Sequence, residues 1–241
     1  MMISVDLNCD MGETPGNQPG SKDDELLKYI SSANIACGFH AGDPHRMQLT
    51  VTRAVQRGVA IGAHPGLPDR KGFGRLERPV SAKEVYELAL YQIGALYGFV
   101  RAAGGTLRHV KAHGALYNMA ARDAGLAKAL AAAVYDFDAN LILYALEGSE
   151  MVRAAKAQGL RVATEGFVDR TYQADGTLTP RSHPDALITD IETLSNQAVT
   201  LSKRVDTLCI HGDNPQAVTH ARMVRGACVR SGIAIIPPFA P

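Results

Sequence analysis

Six short strings hold most of the residues able to do chemistry. DLNCDMGE (residues 6–13) puts three acids and an amide into one strand end and turn. Asp6, Asn8 and Asp10 alternate, so a strand here places them on one face. Inward carboxylates suit metal ligation, general-base catalysis or capture of an ammonium group. A solvated turn with an Asx bond around Gly12 is the bland alternative. Acids facing a packed interior are costly unless paired or employed, which favours function for Asp10 and Glu13. NIACGFHAGDPHRM (residues 34–47) sets Gly38 and Gly42 around His40. Such a loop lets backbone N–H groups approach an anion beside an imidazole. Asp43 is equally well explained as a helix N-cap, and His45 falls in that helix's first turn, at the surface.

GAHPGLPDRKGFGR (residues 62–75) is too long and glycine-rich for a mere connector; loops of this kind bind or cover ligands. His64 follows the strand directly, and Arg70, Lys71 or Arg75 could neutralise a carboxylate or phosphate, the others being solvated. VKAHGALYN (residues 110–118) places Lys111 and His113 two positions apart, on one face if the strand is regular. Lys111 can hold an oxyanion, act as a base if its pKa is depressed, or simply pair with a buried acid such as Asp6. EGFVDRTYQADGTLTPR (residues 165–181) is a second long loop. Its Glu165, Asp169 and Arg170 read either as a salt-bridged hinge or as substrate contacts. IHGDNP (residues 210–215) ends a strand at His211, with Asp213 or Asn214 capping the next helix.

The elements that must position these groups alternate strictly. Apolar or β-branched runs at 3–8, 34–37, 59–63, 108–112, 141–145, 161–165, 207–211 and 233–236 predict strands. Between them, Asp43-Pro44 opens a helix with Met47, Val51, Ala54 and Val55 inward, closed by Gly58. Ser81 with Glu84 predicts a capping box, and Thr189 with Glu192 a second. Asn214-Pro215 opens the last helix, which carries His220 and which Gly232 closes. Alternating strand and helix means a parallel sheet with right-handed crossovers. An open sheet gathers its functional groups at one switch point, whereas a barrel delivers every strand's C-terminal end to one face. Ionisable groups follow at least six of these strands. The prediction is therefore a (β/α) barrel of seven or eight parallel strands, TIM-like, as one domain over residues 1–241.

Composition narrows the function classes. With 25 basic and 24 acidic residues, net charge +1, the chain gives no electrostatic reason to expect nucleic acid or a membrane surface. No segment offers the roughly 20 apolar residues that span a bilayer. The N-terminus MMISVDLNCD lacks a basic region followed by an apolar stretch, so no signal peptide and a cytoplasmic location are expected. Cys9, Cys37, Cys209 and Cys228 show no C-x-x-C spacing, and three lie in apolar strand-like runs as small buried thiols. No G-x-x-x-x-G-K-[ST] phosphate loop and no H-E-x-x-H metal motif occurs.

Taken together and in this order, the six strings resemble the LamB/YcsF family over nearly the whole chain. Ala112 stands where that pattern has proline, and Asn214 where threonine is common. The resemblance implies a barrel of the glycoside hydrolase/deacetylase type. It also implies a hydrolase acting on a cyclic amide: ATP-dependent 5-oxoprolinase activity, cleaving 5-oxo-L-proline to L-glutamate with partner subunits B and C. ATP is then co-substrate of the complex. Opening an unreactive lactam requires oxygen activation, positioned water, a stabilised tetrahedral intermediate and a proton for the leaving amine. That chemistry assigns the general base to Asp10 or His40. Lys111 and the glycine-loop N–H groups stabilise the oxyanion, and His113 or His211 protonates nitrogen. Arg70 or Arg75 holds the substrate carboxylate. Asn8, Glu13, Gly38, His64, Asp169, Arg170 and Asp213 complete the expected substrate site. The alternative enzyme is a metal-dependent deacetylase or amidohydrolase with a divalent ion on Asp10, His40 and His64; the third reading is a barrel that only binds or scaffolds.

Overall fold

The computed structural model describes residues 3–13 and 22–239. Eight apolar runs become parallel strands: β1 (Ile3–Met11), β2 (Ser32–Ala36), β3 (Ala60–His64), β4 (Leu107–Lys111), β5 (Ile142–Leu146), β6 (Arg161–Phe167), β7 (Thr207–Ile210) and β8 (Ile233–Ile235). Strands β1 to β7 pair in sequence order around the sheet. β1 then pairs with both β7 and β2, which closes a seven-stranded barrel. β8 stands outside that ring and, among the described residues, pairs only with the first residues of β1, Ile3 to Val5. Parallel strands buried on both faces need apolar residues toward the helices, and Val5, Leu7, Cys9 and Met11 supply them in β1.

The helices are α1 (Lys22–Leu26), α2 (Pro44–Arg57), α3 (Ala82–Ala102), α4 (Gly114–Arg122), α5 (Ala124–Phe137), α6 (Glu150–Gln158), α7 (Ile191–Leu201) and α8 (Ala217–Arg230). Asp43 caps α2 by accepting from the Arg46 amide, and Gly58 ends it in the left-handed region at φ 66°. Ser81 caps α3 through the Glu84 amide, while the Glu84 carboxylate turns to Arg78 at 2.5 Å. Two caps differ from the sequence expectation. Asp190, not Thr189, caps α7 through the Thr193 amide, because a carboxylate one position later reaches the N3 donor. Asn214 accepts from the Gln216 amide in a turn, so α8 starts only at Ala217. All four cysteines are buried and free. Among the described residues, no helix is long and apolar enough to cross a membrane.

The barrel interior is polar. TIM-type barrels are ordinarily filled by branched apolar side chains. Here only Ile142, Tyr144 and Ala163 form a small inner apolar cluster. The other inward positions include Asp6, Asn8, Asp10, Ser32, Asn34, His109, Lys111, Glu165 and Thr207, all buried. Gly62 makes this filling possible: a Cβ there would lie 2.1 Å from the His109 ring.

Candidate active site

Asp6, Asn8 and Asp10 share the inner face of β1 but meet different partners. Asp6, at the N-terminal end, accepts from four hydroxyls: Ser31 (2.6 Å), Ser32 (2.7 Å), Thr207 (2.6 Å) and Tyr144 (3.0 Å). Burial nevertheless raises its pKa above the usual carboxylate value. Asn8, one step up, donates to Glu165 and Thr207 and accepts from Asn34 and Lys111. Asp10, at the C-terminal end, accepts from Asn34 (2.9 Å) and pairs with Lys111 (3.2 Å) and His64 (3.4 Å). Burial pushes Asp10 up, but His64 and Lys111 outweigh it and hold the carboxyl well below its usual range.

Lys111 is the charge around which this end is organised. Its Nζ lies 2.9 Å from Glu165 Oε1 and 2.9 Å from Cys209 Sγ, besides Asp10 and Asn8. Burial alone would neutralise it; Asp10, with Cys209 and Glu165, lifts its pKa well above the ordinary lysine value. Lys111 is therefore a fixed ammonium rather than a base, and its acids are Asp10 and Glu165, not Asp6. Glu165 also accepts from the Tyr117 hydroxyl at 2.7 Å, so both of its oxygens are engaged.

A second cluster collects four loops. Glu13 Oε1 lies 2.9 Å from His40 Nε2, 3.2 Å from His113 Nδ1 and 3.7 Å from His64 Nε2. Burial raises Glu13, but His113 and His40 outweigh it and keep the carboxylate ionised far below the usual range. His40 and His113 stack face to face at 3.7 Å. The 65–81 segment closes over both rings, and Gly74 at φ 65° permits it: a Cβ there would lie 2.7 Å from the His40 Cβ. Burial, with the His113 charge, pushes His40 down to about 3, so it stays neutral.

The pair His64–His113 has a particular demand. His64 Nδ1 sits 2.8 Å from the Lys111 carbonyl, and His113 Nε2 sits 2.8 Å from the Phe73 carbonyl. Carbonyls only accept, so both nitrogens carry hydrogen. The remaining nitrogens then face each other at 2.9 Å, and two neutral rings would oppose lone pairs. A proton or a cation must sit between them. Burial opposes a charged His64, but Asp10 outweighs it and raises that pKa, which fits a shared proton.

The same donors also fit a divalent transition ion. Glu13, His40, His64 and His113 bring one ligand atom each to within 4.8 Å of one another. His64 and His113 have the backbone carbonyl behind the ring that metal-ligating histidines use. His40 lacks it, since its Nδ1 is buried without a partner. The fitting set is thus Glu13, His64 and His113. The expected trio of Asp10, His40 and His64 does not form one such group; Asp10 groups instead with Cys209 and His211, where the Lys111 ammonium already lies beside the sulfur.

Across the mouth, Asp169 holds His211: both carboxylate oxygens lie within 3.0 Å of Nδ1, and Oδ2 also accepts from the His211 amide. Burial raises Asp169, but the His211 charge outweighs it and keeps the acid ionised. This bond fixes the imidazole with Nε2 unpartnered among the described residues. His211, Asp10, His64, Lys111 and His113 all line one cavity of about 420 Å³. That is the size of a small-molecule site, of order 300–1,000 Å³.

Other expected site residues are placed differently. His40, Glu13 and Gly38 lie outside the lining, and the Gly38 amide is used on the Ala41 carbonyl. Arg70 donates to the Gly38 and Gly42 carbonyls, at 2.8 and 2.5 Å, so it staples that loop. Arg75 lines the cavity paired with Asp213 at 2.8 Å. Arg170 lines it as well, donating to the Thr179 and Ala186 carbonyls, and burial with the Arg181 charge lowers its pKa to about 10. Asn34, Tyr117 and Arg181 join the site without having been singled out from sequence. The strand register Asp10↔Asn34 is the feature that reveals the first. His45 is exposed, but His220, on α8, is buried with Nε2 3.2 Å from Gln216.

A family model, the LamB/YcsF family, matches residues 5–240. The chain belongs to the LamB/YcsF family. It is 54% identical over 248 residues to the A subunit of 5-oxoprolinase from Tolumonas auensis, covering 97% of this chain and 99% of that one. It is 52% identical over 249 residues to the A subunit of 5-oxoprolinase from Bordetella parapertussis, covering 98% and 99%. Among solved structures it is similar to the lactam utilization protein of Thermus thermophilus. That match has a TM-score of 0.89 and 44% identity, and covers 97% of this chain and 99% of that one. The family match spans residues 5–240, so the six loops of the site fall inside it.

Proposed function

We propose that this chain is the A subunit of an ATP-dependent 5-oxoprolinase, acting as one cytoplasmic catalytic domain with subunits B and C. The observation that carries the reading is the cavity where Asp10 and the Lys111 ammonium face a histidine held by Asp169. A lactam is opened in three acts there. Its oxygen is activated by phosphoryl transfer from ATP. One water then adds to the ring carbon, and the C–N bond breaks as nitrogen takes a proton, which leaves an acyl phosphate; a second water hydrolyses that to L-glutamate and phosphate.

Each group has a part that its surroundings permit. Lys111, permanently charged, stabilises the oxygen that becomes negative. Asp10, ionised and open to the cavity, orients the water and receives its proton. His211, with Nε2 unpartnered among the described residues, delivers the proton to nitrogen. Asn8, Asn34, Glu165 and Tyr117 hold Lys111 and Asp10 in register, which is the positioning that makes such groups effective. The Glu13, His64 and His113 set holds either the shared proton or a divalent ion; such an ion would supply Lewis acidity toward a carbonyl oxygen or water.

The sequence has no G-x-x-x-x-G-K-[ST] phosphate loop. The purified chain alone should therefore show little 5-oxoproline-dependent ATP hydrolysis, and adding subunits B and C should restore it. Coupled phosphate release, measured for each subunit combination, decides the point. Full turnover by the isolated chain would overturn the shared-complex reading.

A further inference from the structure

The loop cations assigned to the substrate's carboxylate from sequence are already engaged: Arg70 by backbone carbonyls and Arg75 by Asp213. A third guanidinium stands at the same mouth. Arg181 lines the cavity with Asp10, Lys111 and His211, and among the described residues it makes no hydrogen bond or ion pair. Glu77, at the same rim, is paired with Arg122.

Arg181 is held there by construction. Residues 170–187 leave the barrel and return, bridged at Tyr172↔Leu178 and at Arg170↔Leu187. The buried Arg170 cross-links the excursion on both sides of Arg181, donating to the carbonyl oxygens of Thr179 and Ala186. Gln197 fastens the base of the excursion through the carbonyls of Phe167, Val168 and Arg170. Its guanidinium stands near Arg75 and Arg170, with Asp213, Asp169 and Asp10 offsetting part of that repulsion without forming an ion pair among the described residues. Burial and the Arg75 charge indeed depress its pKa.

We propose that Arg181 is the anchor for the carboxylate of the lactam substrate, with Arg170 positioning the loop that carries it. The inference rests on the 5-oxoprolinase reading and names how that substrate is held. A planar guanidinium matches a carboxylate with two parallel N–H donors. The anchor binds a part of the substrate that does not react, so it contributes equally to ground and transition states.

The test uses the complex reconstituted with subunits B and C. In Arg181→Gln, KM for 5-oxoproline should rise roughly 10- to 100-fold, the loss expected for one charged hydrogen-bonded pair. kcat and KM for ATP should stay within about threefold. Arg181→Lys should recover part of the loss. The wild-type preference for 5-oxoproline over its neutral carboxamide should shrink by the same factor in the glutamine variant. Circular dichroism controls for folding. An unchanged KM for 5-oxoproline in a working complex would sink the anchor, as would a rise in KM for ATP alone, which would mark a phosphate contact. If the wild-type complex leaves 5-oxoproline intact, the functional reading fails, and the anchor with it.

Discussion

Two aspartates on the same face of one strand, Asp6 and Asp10, have their pKa values moved in opposite directions. At the N-terminal end, Asp6 accepts from four hydroxyl donors and, among the described residues, pairs with no cation, and burial raises its pKa. At the open end, Asp10 touches Lys111, His64 and Asn34 and is held well below the usual range. Neutral donors ease the burial of a carboxylate; opposite charges reverse it. The lower end of the barrel therefore works as polar packing, and the upper end as a store of fixed charge facing a cavity. The cross-links between them run through amides and hydroxyls, chiefly Asn8, Asn34 and Thr207, which carry no charge of their own.

The largest effect that sharpens this contrast is removal of the upper cation. Lys111→Met leaves Glu165 buried without its counter-charge and Asp10 with His64 alone, and breaking such a pair costs about 3–5 kcal/mol. It also removes the group placed at the developing oxyanion, worth about 10²–10³ in rate. Both losses should appear together, as a lower denaturation midpoint in urea and a collapsed kcat in the reconstituted complex. A stable, active Lys111→Met protein would show that the upper charges are decoration.

Next in size is the acid–base pair across the cavity. Asp10→Asn and His211→Ala should each lower kcat by roughly 10²-fold or more, the usual scale for lost proton transfer. The fold should persist, since Asn keeps the bond from Asn34 and His211 lies at the cavity wall. If the two act on one intermediate, the double variant should lose much less than the product of the single losses. Multiplying losses would mean two separate steps. His45→Ala, on the exposed first turn of α2, is the matching control. His220 cannot serve as one, because it is buried.

How much of this was legible beforehand differs between fold and site. The barrel was readable because strand and helix alternate with clear caps and because ionisable residues follow strand after strand. The placement of Asp10, Lys111, His113 and His211 around one cavity was readable for the same reason: each sits at a strand's C-terminal end, where barrel geometry leaves one destination. The partnerships were not readable. Glu13 meets His40, His64 and His113 across three other loops, and no local spacing encodes that meeting. Asn34 and Tyr117 look like ordinary strand and helix residues until the fold brings them to Asn8 and Glu165. Arg70 reads as a substrate cation until its carbonyl partners are seen, and Arg181 lies far along a loop with nothing nearby to mark it.

The smallest expected effect is at Asp6, and it tests the comparison from the other side. Asp6→Asn keeps the shape and one acceptor oxygen, and the hydroxyls around it can turn to accept from the new amide. Because Asp6 has a folded pKa above its unfolded one, the native state holds that proton more tightly. Its stabilising contribution is thus fullest below pH 3.8 and is lost as pH rises through the raised folded value. The neutral asparagine removes this loss. Relative to wild type, Asp6→Asn should therefore be more favourable at pH 7 than at pH 3. The net change at pH 7 should stay within about 1 kcal/mol, since lost and regained hydrogen bonds nearly offset. kcat should remain within about twofold, against the hundredfold loss in Asp10→Asn. Urea titrations at the two pH values and one rate measurement check all of this. A rate loss in Asp6→Asn as large as that in Asp10→Asn would break the contrast. It would mean that the hydroxyl and amide chain through Thr207 and Asn8 couples the N-terminal end of the barrel to the proton transfers at its mouth.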